Sequence, residues 1–195
     1  MSTRELVMAS LMAVITGLSA QLCIYVGPVP YTFQNFGVML SGLLLSPRYA
    51  CISQLLYLLL IMIGAPLAAG FKGGMGVLVG PTAGYLWAFP IVSYMVSIFA
   101  RPILRRGYKV RSWGVCTLVS IFIYAIGASW LILWLKWLDG GIKIWAYNVA
   151  RLLGIPSNDV LVAFFVGVLI FLPQDILVDH VLAVVVAYKI IRRSS

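Results

Sequence analysis

Pro173-Gln174-Asp175, followed by Asp179 and His180, places ionisable groups inside an apolar stretch of this chain. Such groups are costly in a membrane-like segment and usually mark function. Proline suits the first turn of a helix, which puts Asp175 where the helix dipole stabilises negative charge. A carboxylate there accepts N–H groups strongly. Asp179 stands one turn further on, on the same helical face. The competing reading makes Asp175 a helix-start residue and His180 a paired or solvated one. His180 is the only histidine, which excludes a histidine metal cluster.

Two further constellations offer complementary chemistry. In Gly27-Pro-Val-Pro-Tyr-Thr-Phe-Gln-Asn35, two prolines stiffen the backbone. Thr32, Gln34 and Asn35 provide neutral hydrogen bonds, and Tyr31 and Phe33 provide aromatic faces. That mixture suits a small, largely uncharged ligand with an apolar body; otherwise the segment is a rigid connector. The run from Gly64 to Tyr85 holds seven glycines and two prolines between long apolar stretches. In lipid, irregular backbone survives only under cover of protein or beside a water-filled cavity, so a glycine-rich interruption points to a buried ligand site. Thr82 follows Pro81 where an apolar helix begins, and free N–H groups there can receive an anion or a carbonyl oxygen. The run lacks the Lys-Ser/Thr pair of a phosphate-cradling loop. Lys72 either meets a ligand carboxylate or anchors at the interface.

The elements that must carry these groups are membrane helices. Of 195 residues 63% are hydrophobic and only 10% charged, against roughly 25% charged in a soluble domain; mean hydropathy is +1.05. The pattern predicts an all-α integral membrane protein, one domain over 1–195, with six spanning helices at 6–26, 33–46, 49–64, 82–100, 113–136 and 174–191. The second and third are short for a full bilayer. Val160–Leu172 reads as a separate re-entrant or interfacial helix, the alternative being one long kinked helix from Val160. Leu18-Ser19-Ala20 weakly resembles a cleavage site, but the apolar stretch that contains it, Leu6 to Val26, is long enough to span.

The net charge is +9. The basic residues cluster between apolar segments, which orients a membrane protein and argues against nucleic acid as partner. Arg4, Arg48, Arg101, Arg105, Arg106, Lys109, Arg111, Lys189, Arg192 and Arg193 fall on one side, and Lys72, Lys136, Lys143 and Arg151 on the other. Both termini are therefore expected on the cytoplasmic side of the cell membrane. Gly27–Asn35, Gly64–Pro81 and Asp139–Pro173 then all lie outside, as if around a pocket open outward. Trp130, Trp134, Trp137, Trp145 and Tyr147 crowd that side as interface anchors or as a roof. Ala9, Ala13 and Gly17 form a smooth strip that packs internally or docks a separate membrane subunit. Cys23, Cys51 and Cys116 read as small buried hydrophobes. No nucleophile set with shared geometry and no ATP-binding motif stands out, so neither an enzyme nor a cofactor is expected.

At Val29-Pro30-Tyr31-Thr32-Phe33-Gln34, Gly70-Phe71-x-Gly-Gly-x-Gly76, Gly80-Pro81-Thr82-x-Gly84-Tyr85-Leu86 and Pro173-x-Asp175, the chain resembles the biotin-specific S components (BioY) of energy-coupling-factor vitamin transporters. The resemblance implies a six-helix bundle that binds biotin on its outer side. It also implies a transmembrane coupling subunit, docked through the Ala9/Ala13 strip, and two cytosolic ATPases. The chain departs from the family pattern at Ala83, Ala88 and Gln174, where glycine is usual, and at Val178, where lysine is frequent. On this reading Asp175 accepts a ureido N–H, and Gln34, Thr32 and Thr82 are candidates for the ureido carbonyl. Tyr31, Phe33, Phe71 and Tyr85 enclose the rings beside Gly80. Lys143, Lys72 or Arg151 meets the carboxylate. The rival readings are an autonomous secondary transporter of biotin or another small vitamin, with Asp175, Asp179 and His180 as proton relay, and a scaffolding membrane protein.

Overall fold

A computed structural model of the chain describes residues 3–26, 29–137, 141–156 and 158–193. Gly27 and Pro28 of the first loop, and Asp139 at the start of the expected outer segment, lie outside the described residues. The element order is α1 (Thr3–Gln21), β1 (Cys23–Val26), β2 (Val29–Thr32), α2 (Gln34–Leu44), α3 (Pro47–Met62), α4 (Met75–Leu78), α5 (Ala83–Arg105), α6 (Lys109–Trp137) and α7 (Gly141–Leu152). A last helical stretch, α8 (Asp159–Arg193), closes the chain. Among the described residues α1, α5, α6 and α8 are long and apolar enough to cross a membrane; α3 is a shorter apolar helix. At ~1.5 Å per residue, the 11 residues of α2 reach only about half of a ~30 Å hydrocarbon core.

That short helix is the hub. It packs against α1, α5 and α8, and Val38, Met39, Leu40 and Leu43 are buried. Gly37 allows the closest approach: a Cβ there would lie 2.7 Å from the Cα of Thr16. Ala9 and Ala13 have no exposed surface and belong to the same core, and a Cβ on Gly17 would stand 2.8 Å from Leu67. This corrects the docking reading of Ala9, Ala13 and Gly17, whose smooth strip is covered by the chain's own elements. The exposed side of α1 carries Val7, Leu11, Val14 and Leu18 instead.

Two expectations about elements are also corrected. The first helix stops at Gln21, and Cys23–Val26 pairs antiparallel with Val29–Thr32, with Ile24 opposite Tyr31 and Tyr25 opposite Pro30. A β-branched and aromatic run before prolines favours a strand over another helical turn, and a two-stranded ribbon tolerates Pro30 because its strands are edges. At the other end Asp139–Pro173 is not an irregular segment. Its described part holds α7 and the start of α8, which pack with the end of α6 around Leu131, Leu135, Ala146, Ala150, Val162 and Val166. Among the described residues Val160–Leu172 is not a separate helix before Pro173 but the first part of α8. Helix α8 continues past it through wide, π-type turns at Phe165–Leu169 and Asp175–Asp179. Wide turns relieve the proline's clash with the preceding turn. Carbonyls along the stretch find partners elsewhere: Tyr85 Oη donates to Gly167 O at 2.8 Å, Tyr31 Oη to Ile170 O at 2.6 Å and Trp113 Nε1 to Ile176 O at 2.8 Å.

Candidate ligand-binding site

The hairpin, the glycine-rich run, α2, α5, α6 and α8 enclose a cavity of about 650 Å³. Its walls include Tyr25, Thr32, Gln34, Asn35, Lys72, Gly73, Gly76, Gly80, Pro81, Thr82, Tyr85, Phe89, Ile123, Tyr124, Phe171 and Asp175. Most of that lining is apolar, with a few polar groups set among it, the composition expected of a small-molecule site.

The polar groups form two sets. Asp175 is 4% exposed, and its Oδ2 accepts from Asn35 Nδ2 at 2.6 Å and from Tyr124 Oη. None of the described hydrogen bonds reaches Oδ1. Asn35 lies on the first turn of α2 and Tyr124 midway along α6, so the carboxylate joins three elements. The second set is a chain of bonds. Thr32 Oγ1 donates to Gln34 Oε1 at 2.7 Å, Gln34 Nε2 donates to Tyr57 Oη at 2.6 Å, and Tyr57 Oη donates to Leu67 O at 3.2 Å. The direction is set by the final carbonyl, which only accepts. Thr32 Oγ1 therefore has no proton left for a ligand carbonyl, whereas the second hydrogen of Gln34 Nε2 remains and the Thr82 hydroxyl has no described hydrogen bond.

Thr32, Gln34, Gly80, Thr82, Tyr85 and Asp175 thus line one cavity, as do Asn35 and Lys72. Tyr31, Phe33, Phe71 and Lys143 do not line it. Tyr31 stacks on Phe171, with centroids 5.0 Å apart, and so backs a wall residue. Phe33 stacks on Phe36 at 4.8 Å. Phe71 is 72% exposed, in a left-handed backbone with φ 57°, its N–H bonded to Gln21 Oε1 at 2.9 Å. Lys143 sits on α7, whereas Lys72 stands at the cavity 5.4 Å from the ring centroid of Tyr25. Trp130 bonds Gly80 O at 2.7 Å and packs against Trp87, bracing the loop from outside the cavity.

Asp179 and His180 are fully buried but serve other contacts. Asp179 accepts from the Phe36 N–H and from Gln174 Nε2, both at 3.2 Å, and so satisfies an orphan donor in the first turn of α2. Gln174 Nε2 also reaches Thr32 O at 3.0 Å, which gives this unusual glutamine a bridging role. His180 Nδ1 faces Thr117 Oγ1 at 3.2 Å. No described hydrogen bond joins Asp175, Asp179 and His180 to one another. Reading the sequence missed Tyr25, Tyr124, Phe89 and Phe171 as wall residues; the one available hint for Tyr124 was a lone tyrosine within a long apolar helix.

A family model described as the BioY family matches residues 1–195. The chain belongs to the BioY family. It is 35% identical over 190 residues to a probable biotin transporter BioY of Pyrococcus horikoshii, covering 97% of this chain and 98% of that one. It is 30% identical over 180 residues to the biotin transporter BioY of Rhizobium etli, covering 91% and 88%. The fold is similar to the crystal structure of the S-component for biotin from an ECF-type ABC transporter, with a TM-score of 0.76, 25% identity, and coverage of 100% of this chain and 95% of that one. The family and the apolar helices make this a multi-pass membrane protein.

Proposed function

We propose that the chain is the substrate-specific subunit of an energy-coupling-factor transporter and binds biotin for uptake across the cytoplasmic membrane. The observation that carries this reading is a largely apolar cavity lined by the buried Asp175, whose Oδ1 takes none of the described hydrogen bonds. Biotin offers matching chemistry: ureido N–H donors, an apolar bicycle and tail, and a terminal carboxylate. Asp175 takes a ureido N–H. Gln34 and Thr82 serve the ureido carbonyl, Tyr85, Phe89, Phe171 and Tyr25 enclose the apolar parts, and Lys72 meets the carboxylate.

Six crossings with both termini in the cytoplasm accord with the distribution of basic residues, and one domain over 1–195 accords with the reach of the family model. The working assembly adds a transmembrane coupling subunit and two cytosolic ATPases. With Ala9 and Ala13 covered, the coupling subunit meets α1 through Val7, Leu11, Val14 and Leu18. A proton relay through Asp175, Asp179 and His180 has less support, because these groups bond to separate partners.

The test is a thermal-shift panel of vitamins on the purified chain, since a ligand that binds only the folded state raises apparent stability. Biotin alone should give the shift. By calorimetry in detergent, Asp175→Ala should weaken biotin by about ten- to a hundred-fold, the value of a hydrogen bond to a charged group. Unchanged affinity rejects the role of Asp175.

A further inference from the structure

We propose that Tyr124 is a positioning residue for ligand selection: with Asn35 it holds Asp175 by one oxygen and so aims the other, Oδ1, at an N–H of the ligand. This rests on the reading of Asp175 as the N–H acceptor for biotin.

The argument starts from hydrogen-bond capacity. An ionised carboxylate has about four acceptor sites on two oxygens, and a buried one must be satisfied or neutralised. Here both neutral donors converge on Oδ2. Two donors from different helices fix the carboxylate plane about its last torsion, which is otherwise broad. Oδ1 then keeps one direction without rearrangement when a ligand arrives. A preset acceptor of this kind favours a partner that brings a hydrogen and repels one that brings a second lone pair.

Tyr124 cannot perform the ligand contact itself through donation. Its hydroxyl has one hydrogen, and that hydrogen is committed to Asp175. Tyr124 is 6% exposed and is flanked on α6 by Ile123, another wall residue. Asn35 spends one of its two Nδ2 hydrogens on Asp175, while its Oδ1 is buried without a partner. Tyr124 was not picked out by the chemistry of the sequence, and Asn35, offered there as a neutral hydrogen-bonding group for the ligand, acts here through Asp175.

The test compares ligands as well as variants. Biotin and its two mono-methylated analogues, each carrying a methyl on one ureido nitrogen, are titrated calorimetrically into the detergent-purified full chain. In the unaltered protein one methylated analogue should bind about ten- to a hundred-fold more weakly than biotin, having lost the N–H that Oδ1 accepts. In Tyr124→Phe, biotin should weaken about ten-fold, and the ratio between biotin and that analogue should shrink by a similar factor. Asn35→Ala, which removes the other donor, should shrink the ratio in the same direction and keeps the test alive should Tyr124→Phe fold poorly. A methyl penalty that persists unchanged in both variants, with affinity for all three ligands lowered in parallel, would make Tyr124 merely structural and overturn the proposal. Equal binding of biotin and both analogues by the unaltered protein would instead overturn the assignment of Asp175 beneath it.

Discussion

Replacing Gly127 with alanine puts a methyl group against the ring of Tyr85. The three atoms nearest to a Cβ at this position are Cδ1, Cε1 and Cγ of that ring, all inside contact distance. The ring cannot retreat along its axis, because Tyr85 Oη is tied to Gly167 O at 2.8 Å. The remaining direction is the cavity that Tyr85 lines. Overpacking of this kind costs about 1–3 kcal/mol. Leaving the Gly167 carbonyl without its donor costs about 1–3 kcal/mol more. Alanine returns up to about 1 kcal/mol of helix propensity. The net loss is therefore roughly 1–5 kcal/mol, together with a cavity narrowed by an aromatic edge. The assay is thermal unfolding and biotin calorimetry on the same purified variant. Gly114 lies on the same helix with nothing within 4 Å of its would-be Cβ, so Gly114→Ala is the matched control and should leave both readouts unchanged or slightly improve stability. Refutation is simple: Gly127→Ala and Gly114→Ala giving the same melting temperature and the same affinity.

Two other predictions follow from burial and placement. Ala9→Leu combined with Ala13→Leu forces extra methyl groups into positions with no exposed surface and should lower the unfolding midpoint, each change costing about 1–3 kcal/mol. A normal midpoint with uptake lost would restore the strip as a docking surface. Lys72→Gln should weaken biotin roughly two- to five-fold, as expected for a pair involving an exposed lysine, and should leave the uncharged methyl ester of biotin unaffected; Lys143→Gln should alter neither ligand. Calorimetry in low salt checks both, and a selective effect of Lys143 would reverse the assignment.

The class of the protein was legible because composition reports the solvent a chain must live in. The convergence of Gly73, Gly76 and Gly80 with Gln34 and Asp175 was legible for a related reason: irregular backbone and a lone carboxylate in an apolar chain need the same shelter. Other features depend on tertiary partners that no local pattern encodes. Small residues at Ala9, Ala13 and Gly17 look alike whether the neighbouring surface belongs to the same chain or another. Pro173 signals a break, yet two wide turns and side chains from β2, α5 and α6 let α8 run through it. Phe33 and Phe71 have the composition of a pocket wall, but their direction depends on Phe36 and on a left-handed peptide. Tyr124 carries too little signal alone, since its meaning comes from an aspartate 51 positions away.

The three carbonyls of α8 gripped by Tyr85, Tyr31 and Trp113 have a mechanical consequence. Each grip originates on a different element, so a slip of the rod by a single residue would forfeit all three at once and leave their acceptors stranded in a dry setting. The segment that bears Asp175 consequently has one seat, a fixed anvil at the floor of the cavity.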